Sequence, residues 1–235
     1  MVSKRILLKL SGEQLSGKFE SGIDPEIATF LADEIKKVDH TQTELVIVIG
    51  GGNMVRGEEV AGHGIKRATA DQMGMLSGLI NSMAITDIFE AQDLKTRCLS
   101  NIFAQQVAES YSFRLAEKHL GRGRVVIVAG GIGRPYFTHD TAAVNIALEL
   151  RCDIVLKATK FDGVYEKDPA DFPDAKRYES LSFQEAVESP HVKVMDQAAM
   201  GLAMEQNMPV IIFDAMQPGN IASAIAGGPI GTKIS

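Results

Sequence analysis

The chain has 235 residues, 45% of them hydrophobic and 23% charged, which excludes disorder and supplies a core for one large α/β domain or two small ones. A formal net charge of −6, from 24 basic and 30 acidic residues with no dense basic tract, argues against nucleic-acid binding but allows a local pocket for a small phosphate ester. No apolar run approaches the roughly 18 residues of a membrane span, and Met1 to Lys9 leads into a strand rather than a signal peptide, so a soluble, cytoplasmic protein without membrane contacts is expected.

Arg5 to Leu10 reads as the first strand and delivers Lys9, Ser11 and Gly12 at its C-terminal end. A lysine at the carboxyl edge of a parallel strand points into the crevice where such sheets bind ligands; the plain alternative is a solubilising strand-end charge. Gly12 to Lys18 spells G-x-x-x-x-G-K, the outline of a phosphate-binding P-loop, which needs Ser or Thr next and then a helix. Phe19 follows instead, and Glu20, Ser21, Gly22 and Ile23 continue as loop, so the P-loop is rejected. Asp24-Pro25 opens the first helix, whose core face is Ile27, Phe30, Leu31 and Ile35.

Leu45 to Gly57, LVIVIGGGNMVRG, is the stretch around which the chain is organised. Five apolar residues read as a strand buried on both faces, and the glycines after it let backbone amides approach an anion. Arg56 adds a forked donor for a phosphate or carboxylate; the alternative is a glycine-rich turn with a surface arginine. Gly57 to Thr69 reads as loop, followed by a long helix from about Ala70 to Glu90. Met73, Leu76, Ile80 and Met83 form its apolar stripe, widened by Met75, Leu79 and Ile88. That width suits either subunit packing or complete burial. Asp71, in the first turn, either complements the helix dipole or accepts hydrogen bonds from a ligand hydroxyl.

Thr96 to Leu99 is a short strand, Gln105 to His119 a helix closed by Gly121 and Gly123, and Val125 to Ala129 a second buried strand ending in glycines. Gly130, Gly131 and Gly133 lead through Arg134 to Asp140 into a helix from about Asp140 to Leu150, with Thr138 or Asp140 available as N-cap. Asp153 to Leu156 is the next strand, and Lys157, Thr159, Tyr165 and Asp168 follow it. Asp168 to Pro173 is surface loop, Ser182 and Glu185 form a capping box, a brief segment covers Val192 to Met195, and Asp196 starts a helix. Strand Val210 to Phe213, helix Asn220 to Ala226 and an edge strand at Thr232 to Ile234 complete the chain. Unbroken alternation of strand and helix predicts a single three-layer α/β/α sandwich over residues 1–235, with a mostly parallel open sheet.

Cys98 and Cys152 read as reduced core residues, and His40, His63, His119, His139 and His191 fall into no metal-ligand spacing. Lys9, Gly51, Gly52, Arg56, Gly131, Gly133, Asp140, Lys157, Thr159 and Asp196 gather cations, amide-rich turns and a few carboxylates at strand ends, with no Ser-His-Asp arrangement. Phosphoryl transfer requires that set, because its transition state spreads charge over oxygens that lysines, Mg²⁺ and amides stabilise. A dinucleotide-dependent oxidoreductase would want G-x-G-x-x-G after the first strand and an acid about 20 residues on, and neither is present. A non-catalytic nucleotide sensor differs from a kinase only in lacking a use for both lysines and Asp140.

Lys9-Leu10-Ser11-Gly12, GGGNMVRG from Gly50, ADQMGML from Ala70, PYFTHD from Pro135, KATKFDGVYEKDP from Lys157 and KVMD from Lys193 together resemble the bacterial uridylate kinases of the amino-acid kinase superfamily. The likeness runs from Lys4 almost to Ile234, in one consistent order. It implies the carbamate kinase-like fold and an enzyme that phosphorylates UMP to UDP with ATP and Mg²⁺, a step of pyrimidine nucleotide synthesis. By that resemblance Lys9, Leu10, Ser11, Gly12, Gly52 and Arg56 would meet the ATP phosphates, and Thr159, Tyr165 and Asp168 the adenosine. Gly51, Arg56 and Asp71 would hold UMP, the arginine at its phosphate and the acid at its ribose, while Ile132, Gly133, Arg134, Pro135, Tyr136, Phe137, Thr138 and His139 wrap it. Phe137 and Tyr136 stand equally as pocket walls or core residues. Asp140 and Asp196 would orient Lys9 and Lys157, with no protein residue assigned as a metal ligand. The resemblance also implies a homohexamer built from dimers, with GTP as activator and UTP as inhibitor. Gly17, Lys18, Phe19, Glu20, Ser21 and Gly22 would form the GTP-responsive segment, although KFES is not the glycine-rich version. His139 stands where a Thr or Ser hydroxyl is usual, and Arg134 occupies a variable position. Family members that phosphorylate amino-acid carboxylates or carbamate are the alternative within enzymes, and they need no pyrimidine pocket at Gly131 to His139.

Overall fold

The computed structural model describes residues 4–61, 64–169, 171–172, 174–189 and 194–235. His63 and His191, and the part of the Val192 to Met195 segment before Val194, lie outside the described residues. Strands β1 (Lys4–Leu10), β2 (Thr43–Ile49), β3 (Thr96–Ser100), β4 (Glu109–Ser110), β5 (Val125–Ala129), β6 (Ile154–Thr159), β7 (Ser180–Leu181), β8 (Val210–Asp214) and β9 (Thr232–Ile234) form one sheet. Their order is β4-β3-β5-β2-β1-β6-β8-β9-β7. Every pairing is parallel except β8 with β9, so the mostly parallel open sheet is as expected. Helices α1 (Gly12–Leu15), α2 (Pro25–Lys36), α3 (Gly57–Val60), α4 (Arg67–Ala91), α5 (Phe113–Leu120), α6 (His139–Glu149), α7 (Phe183–Glu188), α8 (Gln197–Gln206) and α9 (Asn220–Ala226) cover its two faces.

Alternation along the strands divides the core in two. Ile6, Leu8 and Leu10 point with Ile47, Ile49 and Leu156 toward residues of α2, α4 and α9. Leu7, Val46, Val48 and Val155 point the other way, onto α5, α6, α7 and α8. Lys9 follows Leu7 by two residues and pairs in register with Lys157, which follows Val155 by two. Both lysines therefore emerge on the α6 face at the carboxyl edge, where the first turn of α6 meets them.

Caps fix the helices that start there. Asp24 accepts from the Glu26 amide with Pro25 at the first helical position, Ser182 and Glu185 form their reciprocal box, and Thr138 accepts from the Asp140 amide. Cys98 and Cys152 are both buried, and burial pushes their thiols up to about 11 and about 12.

Four elements differ from the sequence reading. The expected helix over Gln105 to His119 starts only at Phe113, because Glu109–Ser110 pairs with β3 and Ser112 caps the helix through the Leu115 amide. The expected loop over Gly57 to Thr69 contains α3 and the start of α4. The strand at Thr232 to Ile234 is not the edge, since β7 pairs outside it. Within α4, Leu76 and Ile80 are 51% and 50% exposed, whereas Met75, Gly78, Leu79, Ser82, Ile85 and Phe89 are buried. Complete burial of the stripe is therefore not found, and close approach sets which face is buried instead. A Cβ on Gly51 would lie 2.5 Å from the Gly74 carbonyl oxygen, and one on Gly78 2.7 Å from His139 Nε2, so the helix turns its small residues inward.

Candidate active site

Three charged side chains from three elements meet at the carboxyl edge of the sheet. Lys9 Nζ lies 2.9 Å from Asp140 Oδ1, and Lys157 Nζ lies 2.7 Å from Asp140 Oδ2 and donates at 2.6 Å to the Val194 carbonyl. The three side chains are 10%, 14% and 13% exposed in the order Lys9, Asp140, Lys157. Burial acts to raise the Asp140 carboxyl, but the Lys9 and Lys157 charges outweigh it and hold the group down at about 2. Burial also pushes Lys157 below its usual range, partly offset by Asp140. Asp140 is thus a fixed anion between two cations and a poor base.

Asp196 does not join the lysines by contact, contrary to the expectation of a shared orienting role. Its oxygens accept from Thr138 Oγ1 at 2.6 Å, from Thr141 Oγ1 at 2.9 and 3.0 Å, and from the Ala198 and Ala199 amides at the start of α8. It ties α8 to the first turn of α6, and its charge acts on Lys157 through space.

On one side of the cluster a cavity of about 210 Å³ is lined by Gly51, Gly52, Val55, Arg67, Asp71, Gly74, Met75, Phe137, Thr138 and His139. Phe137 is thereby a pocket wall, while Tyr136 projects outward, 70% exposed. The glycines of the turn before it take positive φ at Gly131 and Gly133, where a Cβ on Gly133 would lie 2.7 Å from the Asn101 carbonyl oxygen. Ile132 is half-buried against the core, Pro135 is half-buried, and Arg134 is exposed. His139 Nε2 is sealed beside Gly78, without a hydrogen-bond partner among the described residues, and burial followed by the Lys9 charge lowers its pKa to about 4. The imidazole is neutral at physiological pH.

Arg56 is placed elsewhere. Its guanidinium pairs with Glu13 and, at 3.3 Å, with Glu59, and borders a cavity shared with Glu20, Ser21 and Asn53. Arg67, inside the segment read as loop, is the arginine that lines the pocket beside Asp71. The signal for it in the sequence is its spacing of four residues before Asp71.

On the other side a cavity of about 260 Å³ is lined by Lys157, Thr159, Phe161, Tyr165, Lys167 and Asp168 among others. Thr159 Oγ1 donates to the Phe161 carbonyl at 2.7 Å, and Tyr165 donates to Asp162 at 2.6 Å. A third cavity, about 710 Å³, joins Lys9, Ser11 and Gln14 to Lys157, Thr159 and Phe161. Ser11 caps α1, its amide donating to Gln14 Oε1 at 3.3 Å, while Gln14 Nε2 donates to the Thr159 carbonyl at 2.8 Å. Leu10 is buried in the core, so only its backbone faces the site. Gly12 packs so closely on Gly50 that a Cβ would lie 2.5 Å from the Gly50 oxygen. Gly52 is open, its nearest such contact being 3.6 Å.

The turn from Gly17 to Gly22 is bound to the glycine turn after β2. The Gly22 amide donates to the Asn53 carbonyl at 3.1 Å, and Asn53 Nδ2 donates to the Gly22 carbonyl at 2.6 Å. Asn53 and Asn81 exchange two hydrogen bonds, at 3.0 and 2.7 Å, and Asn81 also donates to the Gly50 carbonyl, which anchors the turn on α4. Lys18 pairs with Glu26, and Phe19 is exposed.

Two lysines held in register around one carboxylate, beside glycine turns at the carboxyl edge of a parallel sheet, are equipped to bind an anionic group. The chain belongs to the amino acid kinase family, whose pattern it matches over residues 4–214. Among solved structures it is similar to the UMP kinase from Bacillus anthracis, with 34% identity, a TM-score of 0.93, and coverage of 100% of this chain and 97% of that one. The UMP kinase from Ureaplasma parvum is 32% identical with a TM-score of 0.93, both chains being covered completely. The uridylate kinase from Archaeoglobus fulgidus is 26% identical with a TM-score of 0.76, covering 98% of this chain and 99% of that one.

Proposed function

We propose that this protein transfers the terminal phosphoryl group of ATP to UMP, forming UDP and ADP as a step of pyrimidine nucleotide synthesis, and that residues 1–235 act as one domain. The observation that carries the reading is the Lys9–Asp140–Lys157 cluster with one cavity lined by Lys157 and another by Thr138 and His139, the residues before Asp140. ATP would place its adenosine by Thr159, Tyr165 and Asp168 and its phosphates against Lys9, Lys157 and the backbone of Ser11, Gly12 and Gly52. UMP would lie by Gly51, Asp71 and residues 132–139. One oxygen of the UMP phosphate bonds to the terminal phosphorus as the bond to the bridging oxygen of ADP breaks, and the electron pair leaves with ADP. That oxygen needs no general base, because a phosphate monoester with a second pKa of about 6 is already ionised at neutral pH. The two ammonium groups offset the charge on the transferred group, and Asp140 holds them in place.

Among the described residues no group of three or more His, Cys, Asp or Glu is gathered, and both oxygens of Asp140 are engaged by lysines. That donor set fits a Mg²⁺ that arrives on the ATP phosphates, the usual way this ion is bound. When bound, the ion neutralises phosphate charge.

A homohexamer built from dimers, as the resemblance implies, is the assembly we propose, with Leu76 and Ile80 on the outer face of α4 as part of a subunit contact. GTP and UTP are the proposed regulators, and the hydrogen-bonded link from Gly22 to Asn53 connects the segment 17–22 to the phosphate-side turn. No described helix is long and apolar enough to cross a membrane; a cytoplasmic location is part of the proposal.

The test is an ATP- and Mg²⁺-dependent phosphorylation assay over UMP, dUMP, CMP, AMP, glutamate, aspartate and carbamate. Strong preference for UMP is expected. Transfer to an amino acid or carbamate would move the protein to another branch of the family, and ATP binding without transfer to any acceptor would make it a sensor.

A further inference from the structure

The loop that walls the 210 Å³ cavity is held in an unfavourable shape by a group on another element. Tyr136 has a φ of 69°, a left-handed conformation that bulky residues avoid, and its side chain is 70% exposed, so burial in a core does not impose it. The Tyr136 amide donates to Asp71 Oδ2 at 2.8 Å. The other oxygen of Asp71 accepts from Arg67 Nε, also at 2.8 Å, and the Arg67 guanidinium lies 5.8 Å from the centre of the Tyr136 ring. The opposite side of the loop is pinned by Asn101, whose Nδ2 donates to the Gly131 carbonyl at 2.7 Å.

Local helix energetics do not account for Arg67. It is the first residue of α4, where a cation opposes the helix dipole, and a cation four residues before an acid is the weaker order for such a pair. The first turn of α4 carries no compensating acid, and its cap, Lys66, makes no side-chain cap bond. What the pair does is aim Asp71 at the Tyr136 amide.

We propose that Arg67 is a positioning residue for the acceptor site: with Asp71 it latches α4 to the Tyr136 backbone and holds residues 131–138 in the shape that receives the acceptor nucleotide. The assignment of that cavity to the acceptor rests on the function proposed above; the latch itself does not. Arg67 then governs acceptor affinity through the loop, and the transferred phosphoryl is stabilised elsewhere, by Lys9 and Lys157.

The test begins on the protein without substrates, by amide hydrogen exchange in wild type and in Arg67→Ala, with Arg67→Gln as a second variant of similar length. The Tyr136 amide should exchange about tenfold faster in both, the change expected for loss of one hydrogen bond's net stabilisation, while amides within α6 keep their protection and report an intact fold. Unchanged exchange at Tyr136 would overturn the latch. In steady-state assays Arg67→Ala should raise KM for UMP about tenfold with kcat within about threefold of wild type. Adding Tyr136→Asn, a residue that tolerates positive φ, should recover much of that KM. A raised KM with no recovery in the double variant would make Arg67 a direct ligand and overturn the positioning role. If wild type fails to phosphorylate UMP while the Tyr136 amide still responds to Arg67, the function proposed above falls and the latch stands.

Discussion

Replacing Asp140 with Asn keeps the size of the side chain and removes one negative charge from between two ammonium groups. At an effective dielectric constant near 20, contacts of 2.9 and 2.7 Å are each worth about 6 kcal/mol of attraction, much of it cancelled by desolvation of the three groups. The net gain shows in the carboxyl itself, held from 3.8 down to about 2, or about 2.5 kcal/mol. In the Asn variant that gain is gone and the repulsion between the lysines remains. Lys157, already lowered by burial, loses the neighbour that raised it and gives up its proton more readily. A lysine that loses its proton more readily and is no longer held by the carboxylate offers less to the transition state, so kcat should fall by up to about 10²- to 10³-fold, the deficit widening as pH rises. Part of the loss should return on acidification, as the amine regains its proton. The assay is the initial rate of UDP formation at saturating ATP, Mg²⁺ and UMP from about pH 6 to about pH 8.5, with urea unfolding of the same samples to separate misfolding from lost chemistry. A variant within about threefold of wild type, or one with the same deficit at every pH, would refute the role given to the carboxylate.

In wild type the Asp140 contribution to stability is present above the unfolded carboxyl's pKa of about 3.9 and is lost as pH falls through the folded value of about 2; Asp140→Asn should flatten that acid limb in urea titrations. His139 acts over a higher window. Its folded pKa of about 4 lies below the unfolded value of about 6.5, so the unfolded chain binds the proton first and stability drops by up to about 3 kcal/mol between those limits. His139→Thr should remove that slope, and parallel pH profiles for the two proteins would contradict the buried neutral imidazole. Gly51→Ala forces a Cβ to 2.5 Å from the Gly74 oxygen and should cost about 1–3 kcal/mol or more by urea unfolding, whereas Gly52→Ala, with 3.6 Å of clearance, should cost under about 0.5 kcal/mol. Equal effects at the two glycines would show that the approach of α4 to the turn is not tight.

Much of this arrangement was legible before the fold was known. Buried parallel strands read as continuous apolar runs, and Asp24-Pro25, Ser182 with Glu185, and Asp196 marked helix starts through side chains that satisfy free amides. Lys9 and Lys157 stood out because each closes an apolar strand, and their pairing in register follows from the sheet order. The misreadings share one cause, which is tertiary contact overriding local pattern. The Met73, Leu76, Ile80, Met83 stripe left subunit packing and complete burial both open; within the chain another face of α4 is buried, because the glycine turn after β2 comes so close that Gly74, Ser77 and Gly78 must face it. Periodicity cannot register a backbone that approaches from 20 residues away. Arg56 read from the sequence as a forked donor for an anion or as a surface arginine; in the fold it pairs with Glu13 and Glu59, while Arg67 pairs with Asp71. The resemblance grouped Asp196 with the lysines, and the fold adds that the Thr138 and Thr141 hydroxyls donate to its carboxylate. The Gln105 to His119 error came from an apolar and polar mixture that suits either state until Glu109–Ser110 pairs with β3.

Passage of the phosphoryl group from ATP to UMP across the two lysines is measured by single-turnover formation of UDP in wild type and Lys9→Ala side by side. Wild type should form UDP rapidly and Lys9→Ala about 10²-fold or more slowly, with unchanged far-ultraviolet circular dichroism. Turnover by Lys9→Ala close to that of wild type would contradict it.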